Sequence, residues 1–218
     1  MTNNNEYLRE QGLDKLIVEK KSNFGNRISA KYNDLIRIHK LILKMKPKDI
    51  LEFGVGWSTI VMLDAIKKLG GTSKLYSIDA SKEWIKKTEK LIPDELKQFI
   101  IFHQSNVHIT TINGQLCSVY DSLPDIVPDF IYLDGPDPKD VKGDINGLSF
   151  KCDKRTVLSG DIVLMESTLL PNSFILVDGR TNNARFLKRM LLRNWKVNWD
   201  AEGDVTTFEL DEEPLKYK

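Results

Sequence analysis

Residues 50–59 read ILEFGVGWST. An apolar run carries one carboxylate, Glu52, and gives way to Gly54 and Gly56. A strand that closes on glycines lets the chain turn sharply and brings backbone N–H groups near whatever lies beyond. The spacing argues against two familiar loops. A dinucleotide fingerprint, G-x-G-x-x-G, needs a third glycine where Thr59 stands, and a P-loop needs a Gly-Lys-Ser/Thr close that does not follow. Glu52 lies in a run that otherwise reads as buried, where a carboxylate is costly without a cationic or hydrogen-bonding partner.

Working outward, strand and helix patterns alternate. WSTIVMLDAIKKL reads as a helix closed by Gly70-Gly71. KLYSID predicts a second strand, and SKEWIKKTEKLI a helix with Ser81 as its N-cap. QFIIFHQ, DFIYLDG and SFILVDG predict strands three to five, the last leading into a helix, NNARFLKRMLLRN, capped by Asn182 or Asn183. WKVNWD, AEG and DVTTFEL then make a closing hairpin, so at least one strand is expected to run antiparallel. Strands alternating with helices predict a mostly parallel α/β sheet covered on both faces. DIVLMESTLL fits strand or helix by periodicity; helix is preferred, because strands four and five need a connection. SNVHITTINGQLCSVYDSLPDIVP carries mixed signals and stays unassigned.

Upstream, KYNDLIRIHKLILKMK places Leu35, Ile38, Ile42 and Met45 at helical spacing, and Pro47 closes it. The first thirty residues read as a short helix and a mobile arm. Residues 1–48 are thus expected to be an N-terminal arm and helix packing on the core, and residues 49–218 the main domain.

Composition narrows the class. With 41% hydrophobic residues among 218, the chain can build a sizeable core. Its 32 Lys+Arg balance 31 Asp+Glu, which removes any global pull toward nucleic acid or anionic membrane. Cys117 and Cys152 fit no ligand spacing and read as reduced thiols. The start, MTNNNEYLRE, has no signal-peptide core, and no apolar stretch is long enough to span a bilayer; a cytoplasmic protein is expected.

Three acids fall at successive carboxyl ends of the predicted strands: Glu52, Asp79 and Asp134. Ligands of open α/β sheets bind at that edge, and an acid ending the second strand can accept both hydroxyls of a ribose. With LEFGVGWS, LYSIDAS, FIYLDGP and the closing hairpin, the chain from about residue 49 to 210 resembles the class I S-adenosylmethionine-dependent methyltransferases. That resemblance implies a Rossmann-like three-layer sandwich with a seven-stranded sheet whose last strand is antiparallel. It also implies a cofactor site. Gly54, Gly56 and Ser58 would face the methionine and ribose, Glu52 would support the loop or the methionine ammonium, and Asp79 and Ala80 would hold the ribose. Ser105 and Asn106 would lie near the adenine, and Asp134 at the cofactor edge.

The acceptor is read less directly. Asp134-Gly135-Pro136-Asp137 is a poor match to the Asn/Asp-Pro-Pro-aromatic run of base-amino methyltransferases, which argues against a nucleic-acid substrate. Small-molecule O-methyltransferases of the catechol or sugar type resemble this chain better, and many hold magnesium. Asp134 and Asp178 occupy the corresponding strand ends, and Asn182 or Asn183 would have to replace the third ligand, since Gly179 follows Asp178. The alternative is that Asp134 meets cofactor or substrate directly and Asp178 caps a helix. Asp134, Asp178 and His108 are the candidate catalytic groups, with His108 as general base. His39 is expected to be solvated on its basic helix and His103 half-buried. The long segment 135–158 reads as a substrate lid, with Pro136, Asp137, Phe150 and Arg180 toward the acceptor. A homo-oligomer is left open. Two other readings stand beside methyl transfer: an NAD(P)-dependent Rossmann oxidoreductase and a non-catalytic adenosine-binding scaffold.

Overall fold

The computed structural model describes residues 2–18 and 32–214. Its centre is a seven-stranded sheet built from β1 (Asp49–Phe53), β2 (Lys74–Asp79), β3 (Ile100–Gln104), β6 (Phe130–Leu133), β8 (Phe174–Asp178), β9 (Trp195–Asp200) and β10 (Val205–Leu210). The order is β3-β2-β1-β6-β8-β10-β9, and β10 alone among these strands runs against the others. The chain leaves β1 toward β3 and returns on the other side with β6, so the strand order reverses between β1 and β6. Such a reversal opens a crevice at the carboxyl ends of the strands.

Alternation along the strands divides the core. Ile50, Phe130, Tyr132 and Leu176 pack into one buried cluster, with α3 (Tyr32–Met45) and α4 (Trp57–Lys68) over it. Leu51, Phe53, Ile131, Leu133, Ile175 and Val177 pack into the other, beneath α6 (Asp161–Met165) and α7 (Thr181–Met190). Side chains two apart on a strand share a face, which is why β1 feeds both layers.

The expected helices form. Pro47 follows α3 closely, Gly70 and Gly71 close α4 at φ +80 and +72, and Ser81 Oγ accepts from Trp84 N at 3.1 Å to cap α5 (Lys82–Glu89). The preference for helix in DIVLMESTLL holds as α6 and a following 3-10 turn, Glu166–Thr168. The cap of α7 differs from expectation. The helix starts at Thr181, Asn182 donates to Thr156 Oγ1 at 2.8 Å, and Asn183 Oδ1 accepts from Ser159 N at 3.2 Å.

The described part of the N-terminal extension packs against the core. Leu8 of α1 (Thr2–Glu10) and Leu13 and Ile17 of α2 (Leu13–Val18) are buried in the first cluster. The mobile arm expected before α3 falls largely outside the described residues. His39, expected in solvent, is 0% exposed: its ring meets Tyr7 Oη at 2.7 Å and Asp64 Oδ2 at 2.9 Å. A helix wheel read alone cannot show that α1 covers that face.

The unassigned segment after β3 is a hairpin, β4 (Val107–Ile112) and β5 (Gln115–Tyr120), with β7 (Val141–Lys142) alongside β4. Its two-residue turn is Asn113-Gly114, both at positive φ (48 and 72). That is the type I′ geometry favoured by an Asn-Gly pair, the local signal in the sequence that marks the hairpin.

Candidate active site

The glycine loop is held from below by Glu52. Its carboxyl is 0% exposed and accepts from Ser58 Oγ at 2.6 Å, Thr59 Oγ1 at 2.7 Å and Ser77 Oγ at 2.6 Å. Thr59 Oγ1 accepts in turn from Gly56 N at 3.0 Å, so a relay runs from the strand acid to the loop backbone. Burial pushes the Glu52 carboxyl up to about 7, against the three hydroxyl hydrogen bonds. Both Glu52 and Ser58 are therefore engaged beneath the loop, and the loop-supporting role fits Glu52 better than contact with a methionine ammonium.

The two glycines do different work. Gly54 lies at φ +91, and a Cβ there would sit 3.2 Å from the backbone of Asp134 and Gly135. Its smallness serves the close passage of β1 and β6. A Cβ on Gly56 would meet nothing within 4 Å. This glycine faces open space.

Asp79 closes the other side of the loop, accepting from Val55 N at 3.1 Å and Ser81 N at 2.7 Å. Each carboxylate oxygen thus takes one backbone N–H and retains acceptor capacity. Ser105 is buried, and its N–H reaches Asp79 O at 3.2 Å, which places the turn after β3 beside the loop. Ala80 and Asn106 flank the same edge; Asn106 is exposed and accepts from Lys142 Nζ at 2.9 Å.

Across the reversal point, a cavity of about 470 Å³ is lined by Asp134, Thr156, Val157, Asp178, Gly179, Arg180, Thr181 and Asn182. Arg180 fixes its rim: Nε donates to Asp134 Oδ1 at 3.2 Å, Nη2 to Asp134 O at 2.5 Å and Nη1 to Pro136 O at 3.1 Å. Asp178 accepts from Tyr132 Oη at 2.9 Å, and Arg37 of α3 lies 3.7 Å from its other oxygen. Burial, reinforced by the charge of Asp34, raises the Asp178 carboxyl to about 6. Tyr132, Arg37 and Asp34 were not among the expected site residues, because only the tertiary fold brings α3 over the end of β8.

Three expected groups lie elsewhere. His108 is an exposed residue of β4, paired with Asp121 Oδ1 at 2.8 Å, and does not line this cavity. Phe150 is 3% exposed and packs in the second core cluster with Val141 and Val157. Those three buried side chains, together with β7, anchor part of the segment expected to act as a lid. Asp137 is exposed, caps the 3-10 turn Pro138–Asp140 and pairs with Lys139 at 2.8 Å, whereas Pro136 is buried.

A family model described as a methyltransferase domain matches residues 51–179, from β1 through the end of β8. The chain belongs to the methyltransferase domain family. Solved structures agree on the fold. One is a Klebsiella pneumoniae protein assigned as an O-methyltransferase (14% identity, TM-score 0.56, covering 97% of each chain). Another is the O-methyltransferase TomG from Streptomyces achromogenes, involved in tomaymycin synthesis and solved with SAM (14%, TM-score 0.53, 92% of this chain and 89% of that one). A third is the SAH-bound methyltransferase PaMTH1 of Podospora anserina (14%, TM-score 0.54, 91% and 88%). Curated protein sequences give no match. The class I methyltransferase expected from the sequence is borne out in family and fold, and the oxidoreductase alternative loses its ground. No helix among the described residues of the methyltransferase is long and apolar enough to cross a membrane.

Proposed function

We propose that this methyltransferase uses S-adenosylmethionine to methylate a hydroxyl of a small polar metabolite, a sugar or a related polyol. One observation carries the reading. The backbone of Gly54 packs directly on Asp134, so the glycine loop and the polar cavity share a wall at the point where the strand order reverses. A cofactor over the loop and an acceptor in the cavity would then meet at Asp134.

The residues fit the cofactor. Open space above Gly56 admits a ligand against the backbone, and the spare acceptor positions of Asp79 suit ribose hydroxyls. S-adenosylmethionine supplies an electrophilic methyl group, so the chain's own task is alignment and proton removal. Asp178, buried and raised to about 6, is the group best suited to accept the proton of an acceptor hydroxyl. Asp134, held by Arg180, orients the acceptor.

Magnesium fits poorly. A guanidinium already occupies Asp134, Tyr132 donates to Asp178, and Asn182 is turned to Thr156. The described residues contain no group of three His, Cys, Asp or Glu side chains able to hold a metal ion. No step of the proposed mechanism runs through a metal.

Thermal-shift measurements with S-adenosylmethionine, S-adenosylhomocysteine and NAD(H) test the cofactor, because a ligand that binds the folded state raises its apparent stability. Stabilisation by NAD(H) alone would refute the reading. Formation of S-adenosylhomocysteine against a panel of sugars, polyols and catechols, with and without chelator, then tests acceptor and metal.

A further inference from the structure

Three buried side-chain atoms lack a hydrogen-bond partner among the described residues: the hydroxyls of Thr88 and Tyr120, and Nδ2 of Asn183. Tyr120 stands apart by its position. It is the last residue of β5, packs in the second core cluster and is 5% exposed. Asp161 Oδ1 accepts from its backbone N–H at 2.9 Å, and its ring lies 6.0 Å from that of Phe53, the residue before Gly54. Burial, with the charges of Asp79, Asp161 and Asp140, pushes the phenol well above its ordinary range, against the opposing pull of Arg180. The hydroxyl therefore remains protonated and can donate.

An unpaired buried hydroxyl costs free energy, so its retention calls for a reason, and beside a ligand-binding loop a partner outside the chain is one such reason. The chemistry of the neighbouring acid indicates what that is. Asp79 can only accept, so it binds ribose hydroxyls through their hydrogens and leaves their oxygens needing a donor. We propose that Tyr120 Oη supplies it, donating to the ribose of the bound adenosyl group opposite Asp79, so that the β4–β5 hairpin completes the nucleoside site. This rests on the S-adenosylmethionine reading above.

The test is calorimetric titration of the full chain and of Tyr120→Phe with two ligands. One is S-adenosylhomocysteine. The other is 5′-methylthioadenosine, which keeps the nucleoside and lacks the amino-acid end. Both affinities are expected to fall by the same factor, about three- to tenfold for one hydrogen bond. The melting temperature of the ligand-free variant should hold or rise, because the ring remains and the unpaired group is gone. Thr88→Val, which removes the orphan hydroxyl at the far end of α5, should leave both affinities unchanged. Unchanged affinity in Tyr120→Phe, a loss confined to S-adenosylhomocysteine, or an equal loss in Thr88→Val overturns the assignment. If the wild-type chain binds neither ligand, the cofactor reading itself falls, and the role of Tyr120 with it.

Discussion

Gly54 and Gly135 press their backbones together where β1 and β6 end: a Cβ on Gly135 would lie 2.8 Å from Gly54 N and 2.9 Å from Phe53 C. Neither atom belongs to a flexible side chain, so the contact cannot relax without moving a strand. Gly135→Ala is expected to cost about 2 kcal/mol or more, read by chemical denaturation. Gly56→Ala is the contrast. With open space at its Cβ it should leave stability nearly unchanged while weakening S-adenosylhomocysteine binding, since the methyl enters the volume assigned to the ligand. Equal stability losses at the two glycines would contradict this division.

Buried Glu52 makes stability depend on pH in a defined direction. Its folded value of about 7 exceeds the ordinary 4.5, so the folded state holds a proton that the unfolded chain releases. Stability from this group is present below about pH 4.5 and is lost as pH rises toward 7, by an amount on the order of 3 kcal/mol. Asp161, raised by burial to about 6, acts in the same direction. Glu52→Gln should flatten the fall in melting temperature between pH 5 and 8; an unaltered slope would count against a protonated Glu52.

If Asp178 accepts the proton from the acceptor, methyl transfer must rise with pH through about 6, as its carboxyl ionises. Asp178→Asn should abolish that limb and lower kcat by about 100-fold or more, with S-adenosylhomocysteine affinity retained. A pH–rate profile of wild type and variant decides it.

Arg180 makes three hydrogen bonds to Asp134 and Pro136 at the cavity rim. Arg180→Met is expected to lower kcat/KM by about tenfold through lost orientation of Asp134, while cofactor affinity stays within about twofold. Steady-state kinetics beside a binding titration separate the two effects.

His39 joins α1, α3 and α4 through Tyr7 and Asp64, with Lys68 also paired to Asp64. His39→Ala removes a fully buried ring and strands two polar partners, an expected loss of about 2–4 kcal/mol by denaturant titration. His39 does not line the polar cavity, so little change in acceptor affinity is expected.

The order of strands and helices was legible because each segment carries its own period, and the glycines and Ser81 mark its ends locally. The antiparallel run of β10 was legible in the closing hairpin together with the family likeness, whereas the order of the strands in the sheet came only from the tertiary structure. The acids at the strand ends could be read as a set, since carboxyl ends of parallel strands share one edge whatever the packing. The β4–β5 hairpin was legible only at Asn113-Gly114, because half-exposed strands such as VHITTI carry mixed polarity.

Sequence by itself determined the strands of the sheet, the glycine loop and the carboxylates that face its edge, all consequences of short-range pattern. Tertiary structure decided what each group meets. Glu52 is held by hydroxyls from α4 and β2, Asp134 by Arg180, Asp178 by Tyr132 and Arg37, and Phe150 by the core. These partners are separated by 6 to 141 positions along the chain, and hydrogen bonding and burial depend on proximity in space, which no local pattern encodes.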